Sequence, residues 1–219
     1  MKLKMIAFLS LVSATMSANA IPLVTYTFTG SAGSEPSFAP EAQPANANAS
    51  SMSRGTGLTP TSAVGAFSSS GWTLGSILDV NDYYTFSVSP DFGFGLTLTQ
   101  LILDERRSST GIRGWSVRSS LDSFASDLAT FSVNDDELIR SGQTINLSTL
   151  PANLTSLVEF RIYGYSAESS GGTWRIDNVK LEGTVQSLAS VPDTGATALL
   201  LLAPVLGIFI VRRSCICFS

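Results

Sequence analysis

Between the two ends of the chain, apolar and polar positions alternate with a period of two. Val24, Tyr26 and Phe28 alternate with Thr25, Thr27 and Thr29, and Tyr84, Phe86 and Val88 alternate with Thr85, Ser87 and Ser89. Trp115 and Val117 stand opposite Ser116 and Arg118, and Val158, Phe160 and Ile162 stand opposite Glu159, Arg161 and Tyr163. Successive side chains of a strand point to opposite faces, so this pattern predicts half-buried antiparallel strands. No segment of the middle sustains the 3.6-residue period of an amphipathic helix. The phase slips twice. Leu96 and Leu98 lie on one parity and Leu101 and Leu103 on the other, and Trp174 and Ile176 are out of phase with Val179 and Leu181. One inserted residue keeps the apolar face inward across such a slip, which predicts β-bulges near Gln100 and near Asp177-Asn178. The expected fold is all-β, a jelly-roll-like antiparallel β-sandwich.

Residues 31–70 break the pattern. They are rich in Ala, Ser, Gly and Pro, with Pro36, Pro40, Pro44 and Pro60. They read as an irregular surface excursion with one short strand near Val64 to Phe67.

The ends carry continuous apolar runs. Lys2 and Lys4 precede apolar Met5 to Met16, and Ala18 and Ala20 supply the small residues of a signal peptidase site. Residues 1–20 are expected to be a signal peptide cleaved after Ala20. At the other end Val191, Pro192, Asp193, Thr194 and Gly195 precede an apolar segment over 196–211, then Arg212 and Arg213. At about 1.5 Å per residue that segment is a marginal membrane span, slightly short of the roughly 30 Å hydrocarbon core, with the arginines stopping it on the cytoplasmic side. The organisation is therefore a signal peptide (1–20), a β-sandwich domain (21–188), and a linker, motif, transmembrane segment and basic tail (189–219).

The motif at 191–195 resembles the PEP-CTERM sorting signals read by exosortases, in the variant with a Val-Pro-Asp-Ser-Gly motif, Thr194 standing where that variant has Ser. It is also similar to the sortase motif Leu-Pro-x-Thr-Gly, with Val191 in place of Leu. Much of residues 82–182 resembles the β-sandwich domains that accompany PEP-CTERM tails. The resemblance is carried by Asp82 to Val88, Leu96 to Gly111, Arg118 to Phe124, Phe160 to Tyr165 and Gly171 to Val179. It implies export to the envelope or cell surface, with signal peptidase and an exosortase-like enzyme as processing partners and the membrane as an anchor. It brings no catalytic residues.

Composition narrows the chemistry. The 219 residues carry a formal charge of −4, and charged residues are 14%, which leaves no footprint for nucleic acid. There is no histidine, which excludes Ser-His-Asp and Cys-His nucleophilic sites and imidazole metal ligation. The two cysteines, Cys215 and Cys217, lie in the tail and read as inert there. Sequons at Asn48, Asn146 and Asn153 read as chance in a chain with a bacterial-type tail.

Several residues remain as candidates. Asp79, Asn81 and Asp82 form an oxygen-rich loop that could take a structural calcium, against an Asx turn that bonds its own backbone. Asp177 at its bulge could join a loop oxygen near Glu35 in a calcium site, against a carboxylate that satisfies local backbone. Asp104-Glu105-Arg106-Arg107 reads as a solvated hairpin tip, and Asn134 to Glu137 as a charged turn. Trp115 and Trp174 keep core parity, while Trp72 is less constrained. Tyr163 and Tyr165 share the polar parity of their strand, and this makes them the candidates for an exposed aromatic face that stacks sugars. Glu159, Glu168 and Asp177 are the carboxylates a glycosidase would have to pair across a cleft. The expected function is that of a non-catalytic surface or extracellular-matrix protein with a structural or adhesive sandwich. A carbohydrate-binding module of the envelope, with extracellular polysaccharide as partner, is the alternative, and a glycoside-active enzyme stands behind both.

Overall fold

The computed structural model describes residues 21–188, so the signal peptide, the sorting motif and the apolar tail segment lie outside the described residues. Thirteen strands run in the order β1 (Ile21–Tyr26), β2 (Ser37–Phe38), β3 (Ala47–Ala49), β4 (Met52–Arg54), β5 (Thr59–Pro60), β6 (Phe67–Ser70), β7 (Tyr83–Pro90), β8 (Phe94–Arg107), β9 (Gly114–Ser119), β10 (Ala129–Ser132), β11 (Arg140–Asn146), β12 (Val158–Tyr165) and β13 (Trp174–Ser187). A single 3-10 turn, Ser120–Asp122, is the only helical element among the described residues. None of these residues forms a helix long and apolar enough to cross a membrane.

The strands form two antiparallel sheets. The first runs β11-β8-β13-β6-β5 with β1 also on β13, and the second runs β10-β9-β12-β7-β4-β2 with β3 also on β7. Among the longer strands, β1 pairs with β13, β7 with β12, β8 with β13 and β11, and β9 with β12 and β10. First meets last and second meets second-to-last, which is the winding of a jelly roll.

The alternation seen in the sequence is the burial pattern of the strands. Tyr84, Phe86 and Val88 face the core from β7, and Val158, Phe160 and Ile162 face it from β12. Both expected bulges are present. The β13–β8 register shifts between Asp177 and Lys180, and again between Glu182 and Gly183, opposite Gln100 and Leu98. Each shift restores the inward phase for Leu101, Leu103, Val179 and Leu181, all fully buried.

Two expectations are corrected, for 31–70 and for 104–107, and Trp72, which parity left open, finds its place. The excursion over 31–70 is built into both sheets: β2, β3 and β4 extend the second, and β5 and β6 extend the first. Arg54 ties it down. Its guanidinium donates to Ser69 Oγ (2.7 Å), to the carbonyls of Gly33 (2.7 Å), Ser68 (2.9 Å) and Glu35, and stacks over the Phe67 ring at 3.5 Å. Trp72 is as buried as Trp115 and Trp174, and the three indoles meet around Trp174 at centroid distances of 5.3 and 5.8 Å. The segment 104–107 is no hairpin tip. It continues β8, and Glu105 and Arg107 point inward. Trp174 Nε1 donates to Glu105 at 2.7 Å, and Arg140 donates to the same carboxylate at 3.2 Å. Arg107, with no exposed side-chain surface, donates to Asp135 and Glu168, both at 2.8 Å. A long strand carrying inward charge is hard to read from parity alone, because the partners come from loops 28 and 61 residues away.

Candidate functional site

The outer face of the second sheet carries an array of aromatic and charged side chains. Tyr163 and Tyr83 are cross-strand neighbours whose rings meet at 5.5 Å and 62°. One rung along, Arg161 lies between Thr85 and Arg118. Two arginines side by side on a sheet repel, and each is answered by a carboxylate: Arg161 Nε donates to Glu159 at 2.8 Å and Arg118 Nε to Asp127 at 2.6 Å. The Arg161 guanidinium sits 4.4 Å from the Tyr83 ring centroid and 3.9 Å from that of Phe124, within cation–π range of both. Burial lowers the Arg161 pKa, but the Glu159 hydrogen bond and charge outweigh it and hold the group above its ordinary value.

The loop after β9 is folded to deliver Phe124. Asp122 accepts from the backbone of Ala125 (3.2 Å) and Ser126 (3.0 Å), and Arg118 donates to the Phe124 carbonyl at 3.0 Å. Ser123 and Phe124 both have φ near +60°, a left-handed conformation that costs a non-glycine residue about 1–2 kcal/mol. The strain is held where the ring covers Arg161.

At one end of this strip Tyr165 lies over Gly114, close enough that a Cβ there would come within 2.4 Å of Tyr165 Cε2. Burial and the charge of Asp127 raise the Tyr165 hydroxyl pKa. At the other end, Ser50, Ser87, Thr85, Glu159 and exposed Leu157 line a depression of about 280 Å³. Thr85 Oγ1 lies 3.0 Å from Glu159 Oε1 and 2.9 Å from the Phe160 carbonyl.

The two tyrosines singled out from parity therefore part company. Tyr165 is half-exposed, but Tyr163 is only 2% exposed. That corrects the expectation of an exposed Tyr163 ring: parity sends it to the outer face, but Tyr83, Arg118 and Arg161 cover it there. Tyr83 and Phe124, both half-exposed, were not among the sequence candidates. Tyr83 shares the Thr85 parity and its signal was available; Phe124 depends on a loop fold no periodicity reveals.

The acidic candidates are scattered. Asp79 accepts from the Asn81 backbone (2.8 Å) and side chain (3.1 Å), an Asx turn. Asp82 is buried beside Gly57, and burial and the Asp79 charge raise its pKa. Asp177 accepts from the Asn178 N–H at 2.7 Å. Glu35 accepts from Ala32 and from Gly33 (2.9 Å) and closes its own turn. Among the described residues no three acidic side chains converge on one metal position. The glycosidase candidates do not pair either. Glu159 lies on the outer face of the second sheet, Asp177 on that of the first, and Glu168 binds Arg107 and Arg113.

No family model and no curated protein matches the chain. Solved structures do. A variant of a family 29 carbohydrate-binding module matches at 16% identity and a TM-score of 0.38, covering 80% of this chain and 96% of its own. Another variant of that module, complexed with cellulohexaose, matches at 16% identity and TM-score 0.35, over 77% and 94%. An adhesin domain of Lys-gingipain from Porphyromonas gingivalis W83 matches at 13% identity and TM-score 0.38, over 76% and 99%. At these values the likeness assigns no ligand to this chain.

Proposed function

We propose that this is an exported, envelope-anchored surface protein whose β-sandwich is non-catalytic and adheres to polysaccharide through the outer face of its second sheet. The observation that carries the reading is the strip of Tyr165, Tyr163, Tyr83 and Arg161, with a hydroxyl- and carboxylate-lined depression at its end. Half-exposed tyrosines give flat apolar surface for the faces of sugar rings, while Glu159, Thr85 and Ser87 supply hydrogen-bond partners for their hydroxyls. Arg161 and buried Tyr163 fix the platform in place, which lowers the ordering cost of binding. The dispersal of Glu159, Glu168 and Asp177 favours binding over glycoside cleavage, which needs two carboxylates at a set separation. The export and anchoring parts rest on the sequence of residues 1–20 and 191–213.

The test is glycan-array binding by residues 21–188, with and without calcium, beside a thermal melt that shows a folded domain. Binding to one glycan class that Tyr165→Ala and Tyr83→Ala each weaken about tenfold supports the proposal. A folded domain that binds no glycan in either condition overturns it and leaves a purely structural sandwich. Binding that needs calcium and is lost in Asp79→Ala would move the site to that loop.

A further inference from the structure

The opposite face of the sandwich holds a second polar array that the reading above does not use. On the outer side of the first sheet, Arg175 of β13 is paired directly with Arg106 of β8, and two residues along, Asp177 is paired directly with Asp104. Each rung sets like charges opposite each other, which costs stability. No ion pair within 4.0 Å joins the arginines to the aspartates, and both Asp104 oxygens are taken by the Gly142 N–H (2.7 Å) and the Asn178 amide (2.9 Å). Among the described residues Arg106 has one distant partner, Glu137 at 4.0 Å, and Arg175 has neither an ion pair nor a side-chain hydrogen bond. Burial and the neighbouring Arg106 charge lower the Arg175 pKa and outweigh the opposing charge of Asp177.

The pair lies between two depressions and lines both. One, of about 170 Å³, is walled by arginines and hydroxyls, among them Arg107, Ser68 and Ser108, with Glu137 as its one acid. Arg107 is spent on Asp135 and Glu168, yet its Nε is buried without a hydrogen-bond partner. The other, of about 320 Å³, is lined by Asp104, Asp177 and Asn178 and by exposed Val64 and Ile139. Adjacent guanidiniums make a forked donor array that suits a planar oxyanion. The neighbouring acidic rung, about 7 Å along the strands by the usual rise per residue, offers the second Asp177 oxygen to a hydroxyl donor and repels a second anion.

We infer that the Arg106–Arg175 pair binds the acid group of an acidic polysaccharide in which charged and neutral sugars alternate, the neutral sugar lying over Asp177 and Asn178. The carboxylate or sulfate relieves the repulsion between the arginines. A chain with an acid on every sugar would place its next charge against Asp104 and Asp177 and bind less well. This site is on the other sheet from Tyr83 and Tyr165, so the two surfaces fail or succeed separately.

The experiment is affinity electrophoresis of the full chain, in detergent, through gels containing hyaluronate, polygalacturonate, a neutral β-glucan or single-stranded DNA. Hyaluronate is expected to retard the protein most. Arg175→Gln is expected to weaken that retardation about tenfold without lowering the melting temperature, and Arg106→Gln/Arg175→Gln to abolish it. Tyr83→Ala/Tyr165→Ala leaves it intact. Failure of the wild-type chain to be retarded by hyaluronate, or undiminished retardation of the double arginine variant, overturns the site. Equal retardation by DNA reduces it to nonspecific polyanion attraction and overturns the saccharide assignment. Polygalacturonate binding as tightly as hyaluronate overturns the role given to Asp104 and Asp177.

Discussion

Arg54 offers the sharpest test of how the 31–70 segment is held. Its side chain leaves β4 in the second sheet, reaches β6 in the first at Ser68 and Ser69, and reaches the intervening loop at Gly33 and Glu35. Removing it by Arg54→Ala takes away four charge-assisted hydrogen bonds and the cation–π contact with Phe67. Hydrogen bonds to a charged group contribute about 1.5–3 kcal/mol each, but four bonds from one side chain share one desolvation cost and do not add. Burial already works against this cation and lowers its pKa, so the net loss should lie near that of two such bonds, about 3–5 kcal/mol. For a domain of this size each kcal/mol corresponds to about 2–4 °C, which puts the melting temperature of the variant roughly 6–20 °C lower. Arg54→Lys keeps the charge but not the fork, and should recover less than half of the loss. Urea unfolding of both variants measures the free energies, and hydrogen exchange at Gly33, Glu35 and Ser68 locates the effect. An Arg54→Ala variant destabilised by less than about 1 kcal/mol, with unchanged exchange over 31–38, would refute the reasoning and show that the short strands hold the segment unaided.

Three further outcomes follow from the same geometry. Gly114→Ala should weaken glycan retention about tenfold, as Tyr165→Ala does, because its Cβ would displace the Tyr165 ring; the double variant should be no worse than either single one, and an additive loss would refute this. Burial raises the Glu105 carboxyl above its ordinary value, against the pull of the Trp174 hydrogen bond and Arg140. The folded chain then holds this proton more tightly than the unfolded chain, so its contribution to stability is present below the unfolded value of about 4.3 and is lost as pH rises through the folded value. Melting temperatures of Glu105→Gln should accordingly fall less than those of the wild type on going from about pH 4 to pH 7, and identical slopes would exclude Glu105 as the source. Calcium should shift the melting temperature by less than about 2 °C, the equivalent of about 0.5–1 kcal/mol, because Asp79 and Asp177 already accept local N–H groups; a larger shift, lost in Asp79→Ala, would place an ion at that loop.

What the sequence determined by itself was the part of the fold that depends on period. Alternation over Tyr83 to Ser89 and Val158 to Tyr163 settled which residues face the core, and the two phase slips located both bulges of the β8–β13 ladder, because a one-residue shift cannot be tolerated where one face is buried. The absence of histidine likewise bounded the chemistry without any coordinates. Tertiary structure decided everything that depends on a partner remote in sequence. Glu105 and Arg107 enter the interior because Arg140, Asp135 and Glu168 meet them from other segments. Tyr163 is covered although its parity is polar, because the outer face of a sheet has a covering layer of its own when long side chains such as Arg161 lie down upon it. The short strands of 31–70 carry too few residues for a period to show, and they exist because β7 and β13 present open edges for them to pair with. Parity assigns a face; only the neighbours that fold onto that face decide whether it is exposed.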